Sequence, residues 1–248
     1  MMAPSHAASG ALAGAAAAAL LAPAVSGCAL FDLAAGVLVG AGAALLPDLD
    51  HPTSTASRSQ GPVTGVVHRA VAGASRLAWA ATRTGRDDGG RDGDGVHRHL
   101  SHTPLVAVAV GAGVWLAGGW WPVLLVAVWF AVDLGLRGLA GCVPGGWRWT
   151  RSWPAVSLVS AALAGLLVWG GVSASFVGAL VAVGMIVHSL GDAFTRAGVP
   201  LLWPVVHRGR RWWMVRAPLT FATGDGWQET AVRWACLAGT VPVALMTL

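Results

Sequence analysis

Apolar and polar positions alternate in long blocks along this chain, not with the short periods of a soluble fold. Runs dominated by Ala, Val, Leu, Gly and Trp fall near residues 8–27, 31–47, 103–119, 120–137, 155–171, 174–193 and 230–247. A hydrocarbon core of ~30 Å needs about 20 apolar residues in a helix, so each run predicts a membrane span, the shorter ones tilted or half-buried in a bundle. The expected fold is all-α: a polytopic membrane helical bundle of about six to seven transmembrane helices, forming a single membrane-embedded domain over residues 1–248. Between the second and third runs, residues 62–83 intersperse Val, Ala, Leu and Trp with His68, Arg69, Arg76 and Arg83, which predicts a helix lying on the membrane within a cytoplasmic loop, residues 52–96. Residues 84–95, rich in Gly, Asp and Arg, read as a flexible linker. Asp92-Gly93-Asp94-Gly95 lacks the later bidentate Glu of a calcium loop.

Composition agrees with the pattern. Of 248 residues 55% are hydrophobic and 11% charged, and the mean hydropathy of +0.64 lies outside the range of soluble domains. All 16 basic residues are arginine and only Glu229 is glutamate, a composition of GC-rich coding sequence. The net charge of +5 is no nucleic-acid signal, because the arginines sit in loops beside apolar runs. Arg58, Arg69, Arg76, Arg83, Arg86, Arg91 and Arg98 lie between spans two and three. Arg148 and Arg151 lie between four and five, with Arg137 at the end of span four, and Arg196, Arg208, Arg210, Arg211 and Arg216 lie between six and seven. The alternate connections carry none, which predicts a cytoplasmic N-terminus. Trp120, Trp121 and Trp169 on one side, and Trp147, Trp149, Trp153, Trp212 and Trp213 on the other, are expected as interfacial belts or as packing residues.

Cys28, Cys142 and Cys236 are too few and too scattered for a disulfide framework or a thiolate metal site. Val25-Ser26-Gly27-Cys28 resembles a lipoprotein cleavage box, yet no Lys or Arg precedes the apolar run as a secretory signal requires. Gly10/Gly14 and Gly36/Gly40 have the GxxxG spacing of close helix contact, a spacing that 34 glycines also generate by chance.

The candidate chemistry gathers where the spans end. His6, then Asp48, Asp50 and His51, then His97 and His102, and finally His188 with Asp192 all fall on the side assigned to the cytoplasm. Ionisable groups at a membrane edge are costly unless they pair, bind a metal or line a wet cavity, and clustered His and carboxylate is ligand chemistry for zinc, manganese or iron. His188 and Asp192 are spaced i,i+4 and so share a helix face. Ser101 or Thr103 is positioned to cap the helix that follows, or to orient a ligand through its hydroxyl. Asp133 and Arg137, also i,i+4, are expected to neutralise each other, while His68 and His207 have no evident partner.

Three stretches resemble a known family: Leu-Leu-Pro-Asp-Leu-Asp-His-Pro-Thr-Ser at 45–54, His-Arg-x-x-Ser-His-Thr at 97–103, and the run from His188 through Pro204. They are similar to the YdjM-like inner-membrane proteins of bacteria, grouped as metal-dependent hydrolases. His6 and Glu229 also stand at family positions, whereas His99 replaces a usual Gly and Ser101 and Thr103 exchange hydroxyl types. The resemblance implies hydrolysis at the bacterial inner membrane. His6, Asp48, Asp50, His51, His97, His102, His188 and Asp192 are then the expected metal ligands. Asp48 or Asp50 is the candidate general base, and Arg98 the group that meets an anionic substrate. A phosphoester, in a membrane lipid or a small molecule, suits that location. The alternative is a non-catalytic divalent-metal-binding protein or transporter.

Overall fold

The computed structural model describes residues 1–21, 29–89, 93–224 and 226–248. Cys28, the 25–28 box, Arg91 and Asp92 lie outside the described residues. The helices are α1 (Ala3–Leu21), α2 (Ala29–Ala43), α3 (Thr55–Arg58), α4 (Pro62–Thr82), α5 (Pro104–Ala117), α6 (Trp121–Ala140), α7 (Trp153–Trp169), α8 (Ala174–Ala193) and α9 (Trp227–Thr247). Among the described residues there is no strand, only isolated bridges such as Val199 with Val215.

Local chemistry sets the starts of these helices. Pro occupies the first turn of α4, α5, α6 and α7, where its missing N–H has no cost. Thr103 and Ser173 cap α5 and α8 by accepting from Val106 N and Phe176 N. Past the end of α2 the chain tightens into a 3-10 turn, Leu46–Asp50, with Pro47 in its first turn.

Among the described residues four segments are long and apolar enough to cross a membrane: Ala29–Asp50, Trp121–Ala140, Ala174–Ala193 and Trp227–Thr247. α5 and α7 are shorter apolar helices. α1 begins five residues before the expected run at residue 8, which places His6 inside a helix.

The centre of the bundle is α1, α2, α6 and α8, with α5 against α8, α7 against α6 and α9 against α1. Where helices cross, side chains are absent. A Cβ on Gly14 would lie 1.9 Å from Gly36 O, and one on Gly10 2.4 Å from Gly40 O, so both GxxxG pairs meet each other. A Cβ on Gly42 would likewise lie 1.7 Å from Ala131 O, and one on Gly111 2.5 Å from Gly178 O. Lipid tails are as apolar as leucine, so contacts this close supply the packing that hydrophobicity cannot. Around them Val39, Val128, Val132, Phe176 and Leu180 form the buried core.

The tryptophans divide. Trp120, Trp121 and Trp169 are exposed, as are Trp147, Trp149 and Trp153. Trp212 corrects the expected belt: it is buried, packs against Trp79, Trp203 and His99, and donates from Nε1 to Thr82 Oγ1 at 3.1 Å. An indole N–H with an internal acceptor can leave the interface. The described part of 84–95 is tied down at the same place. Asp87 accepts from Thr84 N, Arg211 N and Trp212 N at 2.7, 3.3 and 2.9 Å, and these donors hold its carboxyl below the usual range against the upward push of burial.

Candidate metal centre

Four segments deliver the polar cluster to one end of the bundle: the first turn of α1, the 3-10 turn after α2, the 97–103 turn before α5, and the last turns of α8. The 3-10 turn after α2 and the 97–103 turn stop short of regular helix, which lets Asp48, His97 and His102 point inward; the i,i+4 spacing on α8 does the same for His188 and Asp192.

His102 Nε2, His188 Nε2, Asp48 Oδ1 and Asp192 Oδ2 converge. The two imidazole nitrogens are 3.1 Å apart. His102 Nε2 is 3.8 Å from Asp48 Oδ1 and 3.7 Å from Asp192 Oδ2, and His188 Nε2 is 3.7 and 3.6 Å from the same two oxygens. A tetrahedral ion with bonds of about 2.0–2.1 Å holds its ligand atoms about 3.4 Å apart, so the set has the dimensions of a cation site. Two separate triads, His6 with His188 and Asp192, and Asp48 with His97 and His102, each bring their ligand atoms within 4.8 Å of one another.

The ring nitrogens facing away are held by other groups. His188 Nδ1 donates to Ala44 O at 2.7 Å, leaving the Nε2 that faces His102 as the acceptor. His102 Nδ1 lies 3.4 Å from Asp50 Oδ2 and 3.0 Å from Ser101 Oγ. Asp50 in turn accepts from Ser101 Oγ at 2.8 Å, from Arg98 N at 3.1 Å and meets His97 Nδ1 at 2.8 Å. Asp50 therefore stands behind the converging atoms, as the carboxylate that orients the histidines. Ser101 shares that orienting role and Thr103 is the helix cap, so the two functions foreseen for the hydroxyls are divided between them.

Two observations fit a bound metal. His6 is fully buried, stacked on His188 at 3.7 Å, and neither of its ring nitrogens makes a hydrogen bond, although Nε2 lies 3.3 Å from Asp192 Oδ1. Buried ring nitrogens left this way are rare unless something binds them. Burial also pushes the His102 imidazole down, but Asp50 first, then Asp48 and Asp192, raise it to about 9, so carboxylates surround a group that favours positive charge. A divalent cation satisfies both.

Asp192 already faces two cations. The α-amino group of Met1 contacts its Oδ1, and Arg98 Nε lies 3.3 Å from Oδ2. Arg98 adopts a left-handed φ of 62°, which sends its amide to Asp50 and its guanidinium to Asp192 and Thr195 Oγ1. A non-glycine residue held there costs about 1 kcal/mol or more and points to a functional constraint.

His51 is not brought into the converging set. Its ring packs on His97 at 4.7 Å, and its Nδ1 accepts from Thr53 N at 3.3 Å; burial and then His97 push its pKa down. It lines a cleft of about 460 Å³ with Asp50, His68, Arg69, Arg76 and His97. Sequence reasoning missed His68, whose Nδ1 donates to Leu49 O at 2.9 Å and buttresses the turn bearing Asp48 and Asp50. No spacing rule signals a bond across that many residues. Glu229, foreseen only by resemblance, is buried and accepts from Met2 N and, at 3.0 Å, from Gly224 N, joining α9 to the start of α1. Asp133 and Arg137 pair as expected at 2.9 Å.

Residues 1–247 match the family described as YdjM inner membrane protein. No curated protein and no solved structure matches the chain.

Proposed function

The chain belongs to the YdjM inner membrane protein family, and on that premise we propose a membrane-bound, metal-dependent hydrolase acting on a phosphoester or lipid-like substrate at the cytoplasmic interface. The observation that carries this reading is the convergence of His102 Nε2, His188 Nε2, Asp48 Oδ1 and Asp192 Oδ2 at separations of 3.1 to 3.8 Å. Two imidazoles and two carboxylates suit zinc best, with manganese or iron as the other candidates. A divalent cation in such a site supplies Lewis-acid polarisation and activation of water.

The protein's own residues do the rest. Asp50, with its oxygens committed to His97, His102, Ser101 and Arg98 N, holds the histidines in register. Asp48 is the candidate general base, because its side chain is 20% exposed whereas those of Asp50 and Asp192 are 0% and 2%. Arg98, beside Asp192, and Arg69, on the wall of the cleft, would hold an anionic group against the site. The distribution of arginines supports a cytoplasmic N-terminus, and the apolar helices α1, α2 and α5 to α9 support six to seven spans in one membrane-embedded unit.

Metal analysis of detergent-purified wild type beside a His188→Ala/Asp192→Ala variant tests the reading. Near-stoichiometric metal in the first, lost in the second, is expected, followed by turnover in a phosphoester and lipid screen. A folded wild type that takes up no metal on reconstitution ends it. The alternative, a non-catalytic metal-binding protein or transporter, draws on the full burial of His6, His102 and His188, and predicts bound metal without turnover of any phosphoester.

A further inference from the structure

On the cytoplasmic-end face of α6, away from the His/Asp cluster, lies a second cleft of about 530 Å³, within the range of about 300–1,000 Å³ for ligand sites. Arg58, Arg137 and Arg151 line it with the hydroxyls of Ser59 and Thr150, and no acidic side chain is among its walls. Arg137 is accounted for: it pairs with Asp133 and donates to Thr150 O and Ser59 O, both at 3.0 Å. Arg58 has one long bond, Nε to Pro52 O at 3.4 Å, and among the described residues neither it nor Arg151 has a carboxylate partner. Two unbalanced guanidiniums therefore face one concavity.

The surroundings say which anion. The cleft sits where α6, a candidate span, ends, and its mouth carries exposed Val143 and Trp147, the latter stacked on exposed Trp149 with the rings 5° from parallel. Tryptophan at a span end marks headgroup depth, and basic pockets between spans take anionic headgroups. A free phosphate has no use for the apolar rim. We propose that this cleft binds the phosphate of an anionic membrane phospholipid, with Arg58 and Arg151 as the headgroup ligands and Trp147 against the acyl boundary. The site shares no residue with the metal centre and does not depend on the hydrolase reading. The two are adjacent all the same: Ser54, which caps the α3 wall of the cleft, also donates from Oγ to Asp48 O at 2.7 Å.

Full-length protein in detergent is titrated with phosphatidylglycerol, phosphatidylcholine and inorganic phosphate, and bound species are followed by native mass spectrometry. One phosphatidylglycerol should bind about tenfold or more tightly than phosphatidylcholine, and Arg58→Ala/Arg151→Ala should weaken it by about 25-fold, near fivefold per arginine. Arg208→Ala/Arg210→Ala, outside the cleft, should leave it unchanged. Equal binding of the two lipids by wild type, or unchanged phosphatidylglycerol binding by the cleft variant, overturns the proposal. Displacement of the lipid by millimolar inorganic phosphate makes this a free-phosphate site and overturns the lipid assignment. Arg151→Glu, a single change at an exposed side chain, repeats the test in a variant that keeps every recorded hydrogen bond.

Discussion

Helix α1 touches α2 where neither helix has a side chain, and touches α8 where both have an imidazole. On the first side Gly10 and Gly14 meet Gly40 and Gly36 backbone to backbone; on the second His6 lies flat on His188 with its ring nitrogens free of hydrogen bonds. Both contacts are buried and both bring the helices close. Only the second leaves chemical capacity unspent. Close approach through glycine is complete once made, since dispersion is its whole content. Close approach through histidine leaves lone pairs aimed at a common point, and this difference separates a packing contact from a site.

The largest effect is expected on the glycine side. Gly14→Leu has no space and should destabilise by more than about 3 kcal/mol, read as loss of monodisperse protein in detergent. Gly165→Ala on α7, where nothing lies within 4 Å of the new Cβ, should keep the wild-type Tm. A well-folded Gly14→Leu would show that the α1–α2 contact is not needed. His6→Phe sharpens the other side: the stacked shape remains while both nitrogens go, so the Tm should hold while bound metal falls about tenfold or more. Equal loss of fold and metal would make His6 a packing residue.

Asp50→Asn acts one step further back. With the orienting carboxylate neutral, metal affinity should drop about 10- to 100-fold while saturating metal restores full occupancy. Unaltered affinity would return Asp50 to a merely structural role. The smallest effect is in pH. In chelated protein His102, raised to about 9 from 6.5, contributes stability that is fully present below pH 6.5 and lost as pH rises to about 9. The Tm in EDTA should fall across that window, Asp50→Asn should flatten the fall, and metal uptake at pH 7 should release protons. A flat profile in wild type would mean that His102 is not held by these carboxylates.

Much of this was legible along the chain. Apolar runs marked the helices because a span must satisfy its own backbone, and i,i+4 spacing put His188 and Asp192 on one face because the α-helical period is local. The same locality made Asp133 and Arg137 a pair. The motifs of residues 45–54, 97–103 and 188–204 carried the family, which the match over residues 1–247 bears out.

Tertiary structure alone decided which atoms meet. Whether a histidine offers Nδ1 or Nε2 depends on a partner far away in sequence, Ala44 O for His188 and Asp50 for His102, and no spacing rule encodes either. That Asp50 orients while Asp48 faces the centre, two residues apart, follows from a 3-10 turn docked against His97 and Ser101. Trp212 turned inward because Thr82 and Trp79 were there to receive it. Local pattern determines which residues can share a helix face. Distances between helices, set here by glycine against backbone, determine which faces close on a common point.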